Sequence, residues 1–548
     1  MDLWPSSKVL DPRKSVAYHL VAFHQPLPAK NSAVMPRFHD EERRSRLRPK
    51  SDSIEEGIVL QAGVARSIIT PPNGMTMVGY AGRAGVAQGK DADLTATALV
   101  LDNDGSRAAV VGLDLAFLHG EMLQGIKNAF SQVLQTPASH VLLNCNHTHC
   151  GPTMKGYFYD DDPRQHHMRA EYEARIIEEM NTLASAALEN LDGARLATGT
   201  GEARIGINRR EQDDVGDIIL GENPDGPVDH EVRVIRVDDL QGRPKAVVFA
   251  HGCHTVTMGP KYLKWSPDYP GVARQLIESA LGCLSIFLQA NAGDIDPITG
   301  IGADEDNSDA KNRLGFTLGS EVLKVCSSHY TDAERGPRII FGMLTKASAY
   351  PRVPIAEEPP SPIAAKEVAV ELPLMEYPTL EYAREMHNKC LTELEEAKTS
   401  GADQVKRNVA QRYVYCARAL LDRVENNRKR SLDGTIQVIT IGDLAIAAFP
   451  GETFAASGME VKRRSPFPHT LFCGYSNGCL TYFPTRDAYP EKGWSFFRRY
   501  HIPDMLFLQS YAVGSALVPG TAEMVVDKTV GLLEEMWNER DEDQQSAS

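Results

Sequence analysis

The chain has 548 residues, a formal net charge of -15 and a sequence pI of about 5.6, with 42% hydrophobic and 24% charged residues. It is long enough for one large domain or two ordinary ones with ample core, and its acidity excludes nucleic acid as a partner and disfavours stable association with anionic membranes. No apolar run approaches the length of a membrane span, and the nine cysteines, an odd number without a CxxC pair, point to a reducing compartment with no disulfide framework.

Residues 1–57 are rich in Pro, Ser and charge, as in "HDEERRSRLRPKSDSIEE", and read as a disordered or loosely attached tail. They lack the apolar region of a signal peptide, so the expected location is the cytoplasm. Order begins at "GIVLQAGVARSIITPP" and continues to the end of the chain, so that 58–548 is expected to form one domain. "ATALVLDN" and "RAAVVGLDLAFL" read as neighbouring strands joined by an Asp-Gly turn. "EMLQGIKNAFSQVLQ" and "EYEARIIEEMNTLASAALENL" have helical periodicity. "HVLLN", "PKAVVFAHGCH" and "LSIFLQANAGD" read as buried strands that end in polar residues. A helical hairpin is expected at about 379–430, inserted between strands, and "IQVITIGDLAIAAFPGE" returns to β. "AEMVVDKTVGLLEEMWNE" is an amphipathic C-terminal helix. The fold class is mixed α/β in a single large domain.

Polar groups collect where the buried runs stop. "NCNHTHCGPT" places His147 and His149 two apart, so an extended segment would aim both imidazoles to one side. His251 and His254 come after the next buried run, "NAGDIDP" (Asn291 to Pro297) after another, and "FPGET" with Glu452 after a third. "GYSNGCLTYFPTRDAY" adds Tyr475, Tyr482 and Arg486. Two histidines, a glutamate and one more donor would suffice for a zinc site. The histidines and Glu452 also admit the plainer reading of hydrogen-bonded turn residues. Amidohydrolase barrels and metallo-β-lactamases also open on H-x-H, but "HTHCGP" lacks the Asp-His of the latter and the chain lacks the eightfold rhythm of the former. "GYSNG" offers Ser476 as a nucleophile; the next segment, "CLTYFPTRD", is strand-like where such a nucleophile needs a helix, and a triad would have to draw on Asp487 and His501.

Taken together, from about Gly63 onward, these segments resemble the catalytic domain of the neutral (non-lysosomal) ceramidase family. "GVARSIITPPNGMTMVGYAGR", "NHTHCGP", "CHTVTMGP", "QANAGDIDP", "FPGE" and "GYSNGCLTYFPTRDAY" are similar to that family's motifs and stand in the same order. The resemblance implies zinc held by His147, His254, Glu452 and Tyr482. It implies His149 as a group contacting substrate or supporting the ligands, and Arg209 as an arginine beside the catalytic centre. The family's active-site serine falls where this chain has Asp296, and a family tyrosine falls where it has Trp494. Asp296 could accept a proton from a zinc-activated water or could cap a turn, with Asp294 supporting that turn. The expected activity is therefore zinc-dependent hydrolysis of a C–N amide bond in a soluble small molecule. The alternatives are a ceramidase-type lipid amidase, an esterase or lactonase on the same site, and a non-catalytic member of the family.

Overall fold

The Asn-Asp-Gly sequence at 103–105 makes the turn it suggests. Asp104 and Gly105 have φ of 53° and 81°, the left-handed pair that a two-residue hairpin loop requires. Strands Thr95–Asn103 and Ser106–Leu113 pair antiparallel around it, from Ala96↔Leu113 to Asn103↔Ser106. In the computed structural model, the described residues are 60–548 except 81, 155–161, 215–217, 343–344, 356–361, 490–515 and 548. The chain divides between Glu56 and Gly57, and the fold is that of the second unit; the expected tail, Trp494 and His501 lie outside the described residues.

The hairpin belongs to an eight-stranded sheet. Its order is Leu284–Gln289, Pro244–His251, Glu231–Asp239, Asp192–Glu202, Gln61–Ile68, Thr95–Asn103, Ser106–Leu113 and Val141–Cys145. A second sheet has the order Ile363–Pro373, Ser431–Ile441, Leu444–Ala448 and His469–Cys473. The expected helical hairpin, Leu380–Thr399 and Gln404–Glu425, is inserted between the first two of these strands. The side chains of Thr379 and Asp403 cap its two helices, each satisfying an N–H group that the first turn leaves without a partner.

The two sheets face each other across a core that joins Ala62, Leu99 and Val248 of the first to Ile439, Ile446 and Leu471 of the second. Helices cover both outer faces. Gly120–Leu134 packs Met122, Ile126 and Phe130 onto the first sheet, beside Tyr172, Ile176 and Met180 of Pro163–Glu189. Asp268–Leu281 and Ser308–Ser327 cover the other half of that face with Tyr269, Ile277, Leu318 and Val322. The C-terminal helix, Thr521–Ala547, lays Val525, Val526 and Leu533 on the second sheet. Spacings of three and four residues on each helix supply these apolar stripes. The architecture is four layers: helix, sheet, sheet, helix.

The eight-stranded sheet curls until its two edge strands meet. Asn144 accepts the Gln289 N–H at 2.7 Å and donates to the Gln289 carbonyl at 3.1 Å, so its side chain does the work of a backbone ladder between Val141–Cys145 and Leu284–Gln289. The same amide nitrogen donates to the Gly474 carbonyl, 2.9 Å away, in the segment directly after the second sheet's last strand. This one side chain gathers three strand ends at one end of the sandwich. That is where the functional side chains collect.

Candidate metal centre

The strand that leads to His147 ends at Cys145. His147 has a φ of 62°, the left-handed region that a non-glycine residue enters at a cost. The two imidazoles therefore do not converge by strand alternation, as their spacing suggests. They converge through a tight turn. Asn146 holds it, accepting the Thr148 N–H at 3.0 Å while donating to Asp114 at 2.7 Å, and the His147 N–H donates to the Leu115 carbonyl. His149 then folds back against Gly79, where a Cβ would lie 2.4 Å from the imidazole ring.

The donor atoms meet closely. His147 Nε2 lies 3.2 Å from His254 Nε2 and 3.4 Å from Glu452 Oε2, and His254 Nε2 lies 3.3 Å from the same carboxylate oxygen. His149 Nε2 is 3.3 Å from His147 Nε2, and the three histidines form a group able to hold a metal ion. His147, His254 and Glu452 are each 1% exposed or less, whereas His149 is half-buried.

The tautomers follow from the partners. His147 Nδ1 faces the Ala116 carbonyl at 3.3 Å and His254 Nδ1 faces the Ala292 carbonyl at 2.5 Å. A carbonyl only accepts, so both Nδ1 atoms carry the proton, and in the neutral imidazole Nε2 is then the atom that presents a lone pair. Burial pushes the His147 imidazole down to about 3, outweighing the nearby Glu452 carboxylate, so it is neutral. Two lone-pair nitrogens and a carboxylate oxygen thus sit within contact distance of one another, an arrangement that repels itself unless a cation lies between them. A tetrahedral ion with bonds of about 2.0–2.1 Å separates its ligands by roughly 3.3–3.4 Å, and the observed triangle of 3.2, 3.3 and 3.4 Å matches that edge. The residues fit a metal. The half-buried His149 sits at the edge of this triangle, and its Nδ1 has no hydrogen-bond partner.

Tyr482 and Glu452 face each other across a parallel backbone pair. Burial and the Glu452 carboxylate raise the Tyr482 phenol well above its ordinary range, so it keeps its proton. Arg209 Nη2 donates to this hydroxyl at 3.0 Å and to the Gly293 carbonyl at 2.7 Å, while Nη1 donates to Asp296 Oδ1 at 3.1 Å. Burial opposes the charge on Arg209, but Tyr482, Asp296 and Glu452 overcome it and hold the guanidinium protonated. Asp296 and Arg209 are 4% and 5% exposed, which makes them a buried ion pair beside the metal triangle.

The structure therefore brings together His147, His149, His254, Glu452, Tyr482, Arg209 and Asp296. His251 stays apart, with its Nδ1 on the Glu231 carbonyl. Ser476 is no nucleophile elbow: it is fully buried, donates to the Gly474 carbonyl and accepts from Asn144. Asp294 supports the turn by accepting the Ala455 N–H at 2.8 Å and the Asn208 amide at 3.0 Å. Sequence reasoning placed Tyr475 near the site without giving it a task. Its hydroxyl is 3.3 Å from Glu452 Oε2 and its ring lies 4.4 Å from that of His147. Its left-handed φ of 52° is what turns the ring inward, and nothing in the residue type announces that.

Residues 60–320 match the family profile "Neutral/alkaline non-lysosomal ceramidase, N-terminal". The chain is 28% identical over 264 residues to Neutral ceramidase A of Dictyostelium discoideum, covering 44% of this chain and 36% of that protein. It is 25% identical over 248 residues to Neutral ceramidase B of the same organism, covering 41% and 33%. The match thus spans about a third of the length of these relatives. The crystal structure of neutral ceramidase from Pseudomonas aeruginosa superposes with a TM-score of 0.57 at 20% identity, over 87% of this chain and 75% of that one. The structure of a ceramidase complexed with C2 superposes with a TM-score of 0.58 at 18% identity, over 87% and 76%. These superpositions establish a shared fold and extend it past residue 320, into the region that carries Glu452 and Tyr482. By the profile match and the motifs it spans, residues 60–320 are similar to the N-terminal part of neutral/alkaline non-lysosomal ceramidases.

Proposed function

We propose that this protein is a zinc-dependent hydrolase that cleaves a C–N amide bond with water as the nucleophile. The observation that carries the reading is the triangle of His147 Nε2, His254 Nε2 and Glu452 Oε2, with edges of 3.2 to 3.4 Å. Imidazole and carboxylate suit zinc, and Tyr482, paired with Glu452 along the backbone, would complete the set. Zinc bound there supplies Lewis acidity, lowering the pKa of a water and polarising a carbonyl.

The chain's own residues do the rest. Asp296 is the proton acceptor; Arg209 binds its Oδ1 and fixes the carboxylate's orientation. A carboxylate cannot form the acyl-enzyme that a serine would, so the water attacks directly. Arg209 also holds the Tyr482 hydroxyl, and its positive charge favours the oxyanion that develops on the substrate carbonyl. His149 lies at the half-buried edge, positioned to hydrogen-bond the same oxygen.

The substrate admits two readings, each with its own support. The buried Asp296–Arg209 pair puts charge beside the scissile bond and favours a polar, soluble amide. The family match and the relatives named as neutral ceramidases favour a ceramide-like N-acyl lipid. A screen of N-acyl amino acids, small cyclic amides and N-acyl sphingosines decides between them, and efficient cleavage of long-chain ceramide removes the soluble-substrate reading. Elemental analysis tests the metal: about one zinc per chain is expected, lost in both His254→Ala and Glu452→Ala. Full zinc and full activity in either variant would disprove the ligand set. Undiminished activity in Asp296→Ala would remove Asp296 as the base.

A further inference from the structure

One part of the surface has no place in this chemistry. Beyond helix Ser308–Ser327, the chain runs out and back as a two-stranded arm. Ala333–Arg335 pairs with Arg352–Pro354, and Ile339–Phe341 pairs with Ala347–Ala349. In the outer ribbon, Ile339, Ile340 and Phe341 are 48%, 64% and 55% exposed. Their cross-strand partners are Ala349, Ser348 and Ala347, too small to cover them. Consecutive residues of a strand point to opposite faces, so the ribbon presents large apolar groups on both sides.

We propose that this arm seats the protein on an anionic lipid surface by inserting Ile339, Ile340 and Phe341 shallowly among the headgroups. The charge of the arm supports this occupant. Between 333 and 354, Arg335, Arg338, Lys346 and Arg352 stand against Glu334 alone, and with Asp332, which pairs with Arg352 at the base, the arm still keeps a net charge of +2 in a protein of net charge -15. The chain's acidity, which argues against membranes when averaged, is locally reversed where the apolar groups are exposed. Basic side chains flanking the apolar strand Ile339–Phe341 can reach lipid phosphates while their stems lie along the apolar surface.

Two tyrosines stand nearer the base. The Arg335 guanidinium lies 3.5 Å from the Tyr350 ring centroid and that of Arg352 lies 3.9 Å from that of Tyr330. Tyrosine and arginine are both suited to the headgroup level. A narrow ribbon with apolar groups on both faces suits insertion between lipids better than docking on a flat protein surface, where only one face would be covered. The ribbon's backbone edges limit insertion to the interface, since unpaired N–H and C=O groups are not tolerated in hydrocarbon. The base is fixed: the Ile355 N–H donates to the Asp332 carbonyl and Thr331 is hydrogen-bonded to Asp238.

The proposal is independent of the hydrolase reading, and its test reads binding rather than activity. The full chain is sedimented with vesicles of phosphatidylcholine alone and with about a third phosphatidylserine. Binding is expected only to the second, reduced by salt. Combined substitution Ile339→Ser, Ile340→Ser and Phe341→Ser is expected to weaken it on the order of 100-fold, and Arg338→Ala with Lys346→Ala roughly 30-fold. Phe341→Trp should bind and show a blue-shifted emission quenched by brominated lipid. Zinc content and near-ultraviolet circular dichroism, expected unchanged, verify that the variants fold. No binding by the unmodified chain to either vesicle would overturn the proposal. So would undiminished binding by the triple-serine variant, or self-association that the triple-serine change abolishes without any vesicle binding, which would make the arm a contact between copies of this chain.

Discussion

The imidazole half of the metal centre and its oxygen half are held in different ways. His147 and His254 donate their Nδ1 protons to the backbone carbonyls of Ala116 and Ala292, and both residues lie in the stretch that matches the family profile. Their orientation is set by the first sheet and survives the loss of any one partner side chain. Glu452 and Tyr482 form a parallel two-stranded pair of their own, Tyr475 follows the second sheet's last strand, and the three are held by one another and by Arg209. The first half is a preformed cradle. The second is a charge network that stands or falls together, and Asn144 and Asp294 are among the side chains that tie the loops of the two.

The largest effect is expected from breaking the cradle. His254→Ala removes the donor that lies 3.2 Å from His147 Nε2 and 3.3 Å from Glu452 Oε2. It should abolish metal binding and lower activity well beyond the roughly 100-fold that the loss of an outer partner costs. Glu452→Gln keeps the shape and one lone-pair oxygen, so it should retain weakened metal binding. Chelator competition on the two variants makes the comparison. Equal affinities would mean that the two halves do not differ as described.

Next comes the network. Arg209 is 5% exposed and ion-paired with Asp296, so Arg209→Met strands a buried carboxylate. Such a break costs about 3–5 kcal/mol, read as a shift in the urea midpoint. Adding Asp296→Leu should recover much of it, because the stranded charge is gone, while activity stays lost. If the double variant is as unstable as the single, the pair is not the unit that holds the oxygen half.

Much of the fold was legible, for identifiable reasons. The Asn-Asp-Gly turn, the amphipathic helices and the fully buried strand Val141–Cys145 follow from local chemistry. The histidines were legible as donors at strand ends. Other features depend on groups distant in the chain. Nothing near Asn144 shows that it closes the first sheet onto Gln289, 145 residues away. His147 was expected to share a side with His149 by strand alternation; the same outcome arises from a left-handed turn, which the Asx hydrogen bond of Asn146 dictates. The parallel pairing of Glu452 with Tyr482 was accessible only through resemblance. The arm was not legible, because its few basic residues vanish when charge is averaged over the whole chain.

A smaller effect tests the tie itself. Asn144→Ala leaves the Gln289 N–H without its partner in a site with no room for exchange with solvent, while the Gly474 carbonyl keeps the Ser476 hydroxyl. A stranded group costs about 1–3 kcal/mol, and about 2 kcal/mol is expected. Because Asn144 holds the loops and not the metal, zinc affinity should fall less than stability does. A variant that loses all zinc while unfolding normally would place Asn144 within the cradle rather than behind it.

The smallest expected effect, about 1 kcal/mol, concerns the second tie. Asp294 is 3% exposed, and burial pushes its carboxyl up to about 6, against the lowering effects of the Ala455 N–H and Arg209. In the unfolded chain it titrates near 3.8. A carboxyl whose folded pKa is raised binds its proton more tightly when folded. Its contribution is fully present below about 3.8 and is lost as pH rises through about 6. Lowering the pH from 7 to 5 should therefore stabilise the unmodified chain relative to Asp294→Asn by about 1 kcal/mol. Asp294→Asn is the right reference, because it cannot titrate, and the other groups titrate alike in both chains and cancel. Both should be unfolded in urea after chelator treatment, so that metal release at low pH does not enter. The asparagine variant will be the less stable at either pH, since its amide nitrogen cannot accept from Ala455 or Asn208. What matters is the change: a gap that stays constant or narrows toward pH 5 would show that Asp294 is not a strained carboxylate between the halves, and that the Ala455 and Asn208 hydrogen bonds fully offset its burial.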